Sequence, residues 1–272
     1  MKDYDLSHIT FSNDFMFCTV LNENLDLAKE LVEVITERKV REITHSSKQL
    51  TLDNTIGAKG VRLDVYFEDD ETVYDVEMQR GTHENLPLRA RYYQSAIDQN
   101  ILSKGRRYEK LKNSYIIFIC TFDPFKMGRS KYTFRQICEE DKNILLEDGS
   151  TKIFLNAASN QNDVSKELKD LLEYVYTGTS NTNNLVQKID DAVISTRNND
   201  TWRSQFMTLE EEVAYMVRMQ NKDLIMKMDQ MEKEIEDNKK QRDNAIANLI
   251  KKGFTEDEAK SILGTYAQNK TI

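Results

Sequence analysis

Leu27, Leu31, Val34 and Ile35 recur three and four residues apart, the period of one helical face. They predict a helix over residues 25–38, preceded by a shorter one over 11–20 with Ser12 or Asn13 as its cap. Through residues 40–52 β-branched and polar side chains alternate loosely, as in a first strand. The alternation then tightens in residues 62–80, RLDVYFEDDETVYDVEMQR, into a hairpin. With Asp69 and Asp70 as a two-residue turn, Val65 stands opposite Tyr74, Asp64 opposite Asp75 and Arg62 opposite Glu77. One side of the pleat then carries Leu63, Val65, Phe67, Tyr74, Val76 and Met78, a core face. The other carries Asp64, Asp75, Glu77 and Gln79.

After the hairpin the period returns to that of a helix. Residues 85–103 place Pro87 in a first turn and Ala90, Tyr93, Ile97 and Ile101 along one side, with Gly105 as the stop. Residues 115–121, YIIFICT, form an unbroken apolar run of strand length, the pattern of a central strand covered on both faces. Short strands over 132–138 and 152–155 extend the sheet. Helix, strands, helix, strand in this order predict an α/β layer architecture. Past residue 164 the chain turns helical: Leu168, Leu171, Leu172, Val175 and Tyr176 share one helix, and a link rich in Asn and Thr follows over 177–184. Leu224, Met228, Met231 and Ile235 make a heptad-like seam that Asn238 and Arg242 interrupt, a short coiled-coil-like segment. Gly253 ends that helix, and Thr255 with Glu258 forms a capping box for a last one. The expected division is residues 1–163 and 164–272. The seam and its methionines predict a homodimer through the C-terminal helices, which light scattering at micromolar concentration would exclude by finding a monomer.

Composition narrows the chemistry. A net charge of −8 over 272 residues excludes a generic polyanion binder, so any nucleic-acid contact needs a local basic patch. Between residues 80 and 112, Arg80, Arg89, Arg91, Lys104, Arg106, Arg107, Lys110 and Lys112 outnumber Glu84, Asp98 and Glu109. This is either such a patch or ordinary solvated helix charge. Cys18, Cys120 and Cys138, with His8, His45 and His83, are too scattered for a zinc site or a disulfide framework. The longest apolar run, residues 115–122, falls well short of the roughly 20 residues a spanning helix needs. With an acidic start lacking the apolar stretch of a signal peptide, the expectation is a cytoplasmic protein without a membrane partner. The acidic hairpin face has two readings. Its carboxylates repel one another and would be balanced by a hard divalent cation with oxygen ligands, or they form a solvated strand face offset by Arg62 and Arg80.

The segments NDFMF (13–17), RLDVYF (62–67), YDVEMQR (74–80), RARYYQSAI (89–97), KGRRYEKL (104–111), YIIFICTFDPF (115–125) and IFLNA (153–157) together resemble the PD-(D/E)XK nuclease superfamily. The likeness is closest to the Rpn-type recombination-promoting nucleases and PD-(D/E)XK family transposases, and GFTEDEAKSILG (253–264) resembles their helical tail. The resemblance implies a restriction-endonuclease-like α/β core, its mixed sheet flanked by helices, with a helical C-terminal extension. It implies a magnesium-dependent endodeoxyribonuclease linked to recombination or mobile elements, with manganese able to substitute. Asp64 and Glu77 would hold the ion with the Met78 carbonyl, and Gln79 would stand where the superfamily usually has lysine, orienting water or phosphate without supplying charge. Arg80, Arg89, Arg91, Arg106 and Arg107 would hold DNA. Asp14 either approaches the same site or caps the first helix. Two other functions stay open: a catalytically weak or inactive DNA-binding protein on this fold, and a protein-interaction module acting through the tail.

Overall fold

The computed structural model describes residues 6–48, 51–52, 60–81, 85–102 and 107–268. Within them the chain runs α1 (Asp14–Glu23), α2 (Leu25–Thr36), β1 (His45–Lys48), β2 (Thr51–Leu52), β3 (Val61–Arg62), β4 (Val65–Glu68), β5 (Thr72–Gln79) and α3 (Leu86–Ile101). A short 3-10 turn (Tyr108–Lys110), β6 (Asn113–Cys120), β7 (Lys131–Phe134), β8 (Ser150–Asn156), α4 (Lys166–Thr177), α5 (Asn184–Arg197), α6 (Asp200–Lys251) and α7 (Glu256–Gln268) follow. The main sheet has six strands in the order β1-β4-β5-β6-β8-β7, and β2 and β3 pair apart from it. β5, β6 and β8 are mutually parallel, while β1, β4 and β7 join antiparallel, so the sheet is mixed as expected. β6 is buried from Ser114 to Cys120, because helices cover both faces of the sheet.

One layer is α3, whose Leu86, Ala90, Ala96 and Ile97 pack on Tyr66, Val73, Ile116 and Phe118. On the other side Tyr74 stacks between Phe67 and Tyr115, at 5.1 and 5.7 Å between ring centroids, on the side of the pleat opposite Val73. α1 lies against β4 and β5. Asn13 caps α1 by accepting the Met16 amide at 3.1 Å, which leaves Asp14 as the exposed first helical residue and not the cap.

The hairpin departs from the expected register. The Asp69 carboxylate accepts the amides of Glu71 and Thr72 at 2.9 and 2.8 Å, and the Asp69 amide donates to the Thr72 carbonyl. That local turn keeps Asp69 in the ladder and makes Asp70 and Glu71 the turn residues. The centre moves by one residue and the pairing by two, so Val65 faces Val76 and Tyr66, not Asp64, faces Asp75. A two-residue slip preserves the sides of the pleat, so the carboxylates stay together. Leu63 is a second departure. The chain bends between β3 and β4, the alternation breaks there, and Leu63 joins Tyr66 and Val73 beneath α3 and not Val65.

The chain divides into two compact units, Met1–Arg203 and Ser204–Ile272, and not at residue 163 where the composition shifts. α4 and α5 belong with the first unit because Leu168, Leu171, Leu172, Leu185, Val186 and Ile189 are buried, and the two helices pack on α1 and α2. Gly178 closes α4 at φ +71°, where an added Cβ would meet Thr10 Cγ2 at 2.5 Å, so glycine is required twice over. Trp202, at the start of α6, donates its indole N–H to Thr19 at 3.1 Å. In the second unit α6 continues as a single helix with Met228, Met231 and Ile235 exposed. Thr255 and Glu258 make the expected capping box at the start of α7.

Candidate active site

Neighbouring strand ends bring the candidate residues together. Continuing the β4–β5 register by one residue sets Asp64 opposite Glu77, and the two interlock. The Asp64 amide donates to Glu77 Oε1 at 3.0 Å, while the Met78 amide donates to Asp64 Oδ2 at 3.2 Å. Asn22 of α1 holds the bend by donating to the Asp64 carbonyl at 2.9 Å. Gln79 Nε2 donates to the Met78 carbonyl at 2.7 Å, and Gln79 Oε1 accepts from Arg89 Nη1 at 2.7 Å. Arg89 Nη2 reaches Glu77 Oε2 at 3.3 Å and the Tyr93 hydroxyl oxygen at 2.9 Å. The guanidinium also lies 5.4 and 5.5 Å from the ring centroids of Tyr93 and Phe118.

This face of the hairpin is not solvated. Asp75, Glu77 and Gln79 are all buried, covered from the α3 side. Burial pushes the Asp64 carboxyl up to about 6, helped by the Asp14 charge and opposed by the Met78 amide and Arg89. Glu77 lies well above its ordinary range through burial first and then the charges of Asp75 and Asp64. Asp75 is raised in the same way by burial and by Asp64, opposed by Arg89 and the neighbouring Glu77 carboxyl, and no amide, hydroxyl or guanidinium donates to its carboxylate oxygens. Raised carboxyls bind protons more tightly in the folded than in the unfolded chain. Stability therefore falls as pH rises from the ordinary carboxylate range through the raised values. Asp75→Asn removes the buried charge, and the variant should gain about 1–3 kcal/mol at pH 8 and progressively less toward pH 4. Urea unfolding across that range, with chelator present, checks this; a gain independent of pH would contradict it.

The donor set suits a hard divalent cation. Asp64 and Glu77 supply oxygens from adjacent strands, and burial first and then neighbouring carboxylate charge disfavour their ionised forms, which such an ion would stabilise. Among the described residues no larger group of carboxylate, imidazole or thiol side chains converges as a ligand set. The remaining positions would fall to the Met78 carbonyl, water and phosphate, in keeping with the one or two carboxylates magnesium usually takes.

Of the residues singled out from the sequence, Asp64, Glu77, Met78 and Gln79 meet at one place. Arg89, half-buried on α3, joins them. Arg80 follows β5 directly and is exposed. Arg91 is exposed on another side of α3, lining a cleft with Gln94, Asp98 and Tyr108, and Arg107 is exposed beside the 3-10 turn. Arg106 and Lys104 lie outside the described residues. Two participants were not anticipated. Asp75 was seen on the face but given no role, and Cys18 of α1, set aside as a zinc or disulfide residue, is a buried thiol close enough to the Asp64 carboxylate for each to shift the other. Burial and the charges of Asp64 and Glu77 push that thiol far up, so it remains protonated.

The family model for PD-(D/E)XK nuclease family transposases matches residues 11–252, which takes in the sheet, the site and all of α6. No curated protein and no solved structure matches the chain. No helix among the described residues is long and apolar enough to cross a membrane.

Proposed function

The chain belongs to the PD-(D/E)XK nuclease family transposases, and on that premise we propose that it is a magnesium-dependent endodeoxyribonuclease acting in recombination or transposition. The observation that carries this reading is the interlocking of Asp64 and Glu77, in which each carboxylate accepts an amide from the other's strand and half-buried Asp64 stands beside buried Glu77. Magnesium, or manganese in its place, would lower the pKa of a bound water and neutralise charge developing on the scissile phosphate. Asp64 and Glu77 would hold the ion. Gln79, clamped between Arg89 and the Met78 carbonyl, has one amide hydrogen and one oxygen lone pair left to orient water or a phosphate oxygen. Exposed Arg80, which follows the Glu77 strand, and Arg91 and Arg107 bind the DNA backbone on either side, positioning it without reading sequence.

Supercoiled plasmid provides the test. The protein should nick it with magnesium or manganese and leave it intact with chelator. Retention of plasmid in a gel shift without a nick under any metal would assign the chain to DNA binding without hydrolysis.

A further inference from the structure

We infer that Arg89 supplies the positive charge of the active site, reaching from α3 to the place a cationic side chain at position 79 would occupy. The inference rests on the nuclease reading and deepens it. Hydrolysis brings a polyanion to a site that already holds Asp64, Asp75 and Glu77, and Gln79 offers dipoles but no charge. Among the described residues, Arg89 is the cation bonded to both Glu77 and Gln79. A lysine at 79 would extend from the same buried strand position toward the group that Gln79 Oε1 now meets at 2.7 Å, the Arg89 guanidinium.

The surroundings of Arg89 are those of a group held in place. Tyr93, one helical turn on, accepts from Nη2 and lies beneath the guanidinium together with Phe118, so the planar fork is fixed by ring contacts as well as hydrogen bonds. Its side chain keeps 33% of its surface exposed while Glu77 keeps 2%, which leaves the cation at the open side of the carboxylate. The bonds to Glu77, Gln79 and Tyr93 engage one hydrogen on Nη1 and both on Nη2, leaving the second Nη1 hydrogen and the Nε hydrogen to donate. Glu77 Oε2, which Arg89 now holds, would also be an oxygen available to a divalent ion. Released from the carboxylate, Arg89 would be free to donate to a phosphate while keeping its ring contacts.

The alternative role is structural, with Arg89 merely neutralising buried Glu77, and two readouts separate them. Arg89→Gln should lower nicking by about 100-fold, the usual cost of a fixed donor aimed at developing charge. The same variant should bind manganese as tightly as the parent or more tightly in calorimetry, because a competing cation has been removed. Adding Gln79→Lys to Arg89→Gln should restore nicking by about tenfold or more, since the charge returns from the strand. Arg89→Gln that nicks like a nicking parent overturns the inference alone. Loss of both nicking and manganese binding, with no recovery on adding Gln79→Lys, makes Arg89 a structural partner and also overturns it. A parent that does not nick removes the nuclease reading and this inference together.

Discussion

Glu77→Ala should lower plasmid nicking by about 10³-fold, a rate loss equivalent to about 4 kcal/mol, and Asp64→Ala should do the same. Neither protein should unfold. Both carboxyls are raised by burial, so each costs the folded chain stability when charged, and truncation relieves repulsion with the carboxylates that remain. The residual partner differs between the variants. Without Glu77 the Asp64 amide loses its acceptor while Arg89 keeps Gln79 and Tyr93, and without Asp64 the Met78 amide loses its acceptor. Circular dichroism alongside the nicking assay separates loss of chemistry from loss of fold, and nicking by folded Glu77→Ala at the parent rate would contradict the assignment.

Phe118→Ala should cost about 3–5 kcal/mol of stability, the range for removing a fully buried aromatic side chain. Phe118 lies on the central strand β6, stacks on Phe154 at 5.3 Å and meets Tyr93 at 6.1 Å. It is fully buried in the cluster under α3, and it also lies beneath the Arg89 guanidinium. The variant should lose ordering of Arg89 as well as stability, so its nicking falls even at temperatures where it stays folded. Urea unfolding followed by circular dichroism measures the first effect, and a change below about 1 kcal/mol would show that the sheet face is not packed as described.

Much of this architecture was readable because it rests on periodicity. The apolar run of β6, the Ala90 and Ile97 stripe of α3 and the Leu168, Leu171 and Leu172 stripe of α4 are buried as their spacing requires. The turn was misplaced by one residue because Asp69 and Asp70 are identical in type, and their spacing alone does not tell which carboxylate will accept the Glu71 and Thr72 amides. The carboxylates still met, since a slip of two residues leaves parity intact. The bend at Leu63 and Asp64 has no periodic signature, so Leu63 was set on the wrong side.

Charge counting also blurred the role of Arg89 by grouping it with Arg80, Arg91 and Arg107. Helical geometry separates them, for Arg89, Tyr93 and Ile97 step by four along one stripe that ends in the core, while Arg91 lies off it. That stripe was the available signal. No comparable signal marked Cys18 as a neighbour of Asp64, because their contact depends on how α1 packs against the hairpin. The change of composition near residue 164 likewise marks the end of the strands and not the end of the first unit.

The most direct measurement is anomalous scattering from crystals soaked in manganese. The account predicts one strong peak about 2.1 Å from oxygens of both Asp64 and Glu77, with Arg89 Nη2 displaced from Glu77 Oε2. A peak held by other residues, or none at saturating manganese with the Arg89–Glu77 contact intact, would contradict it.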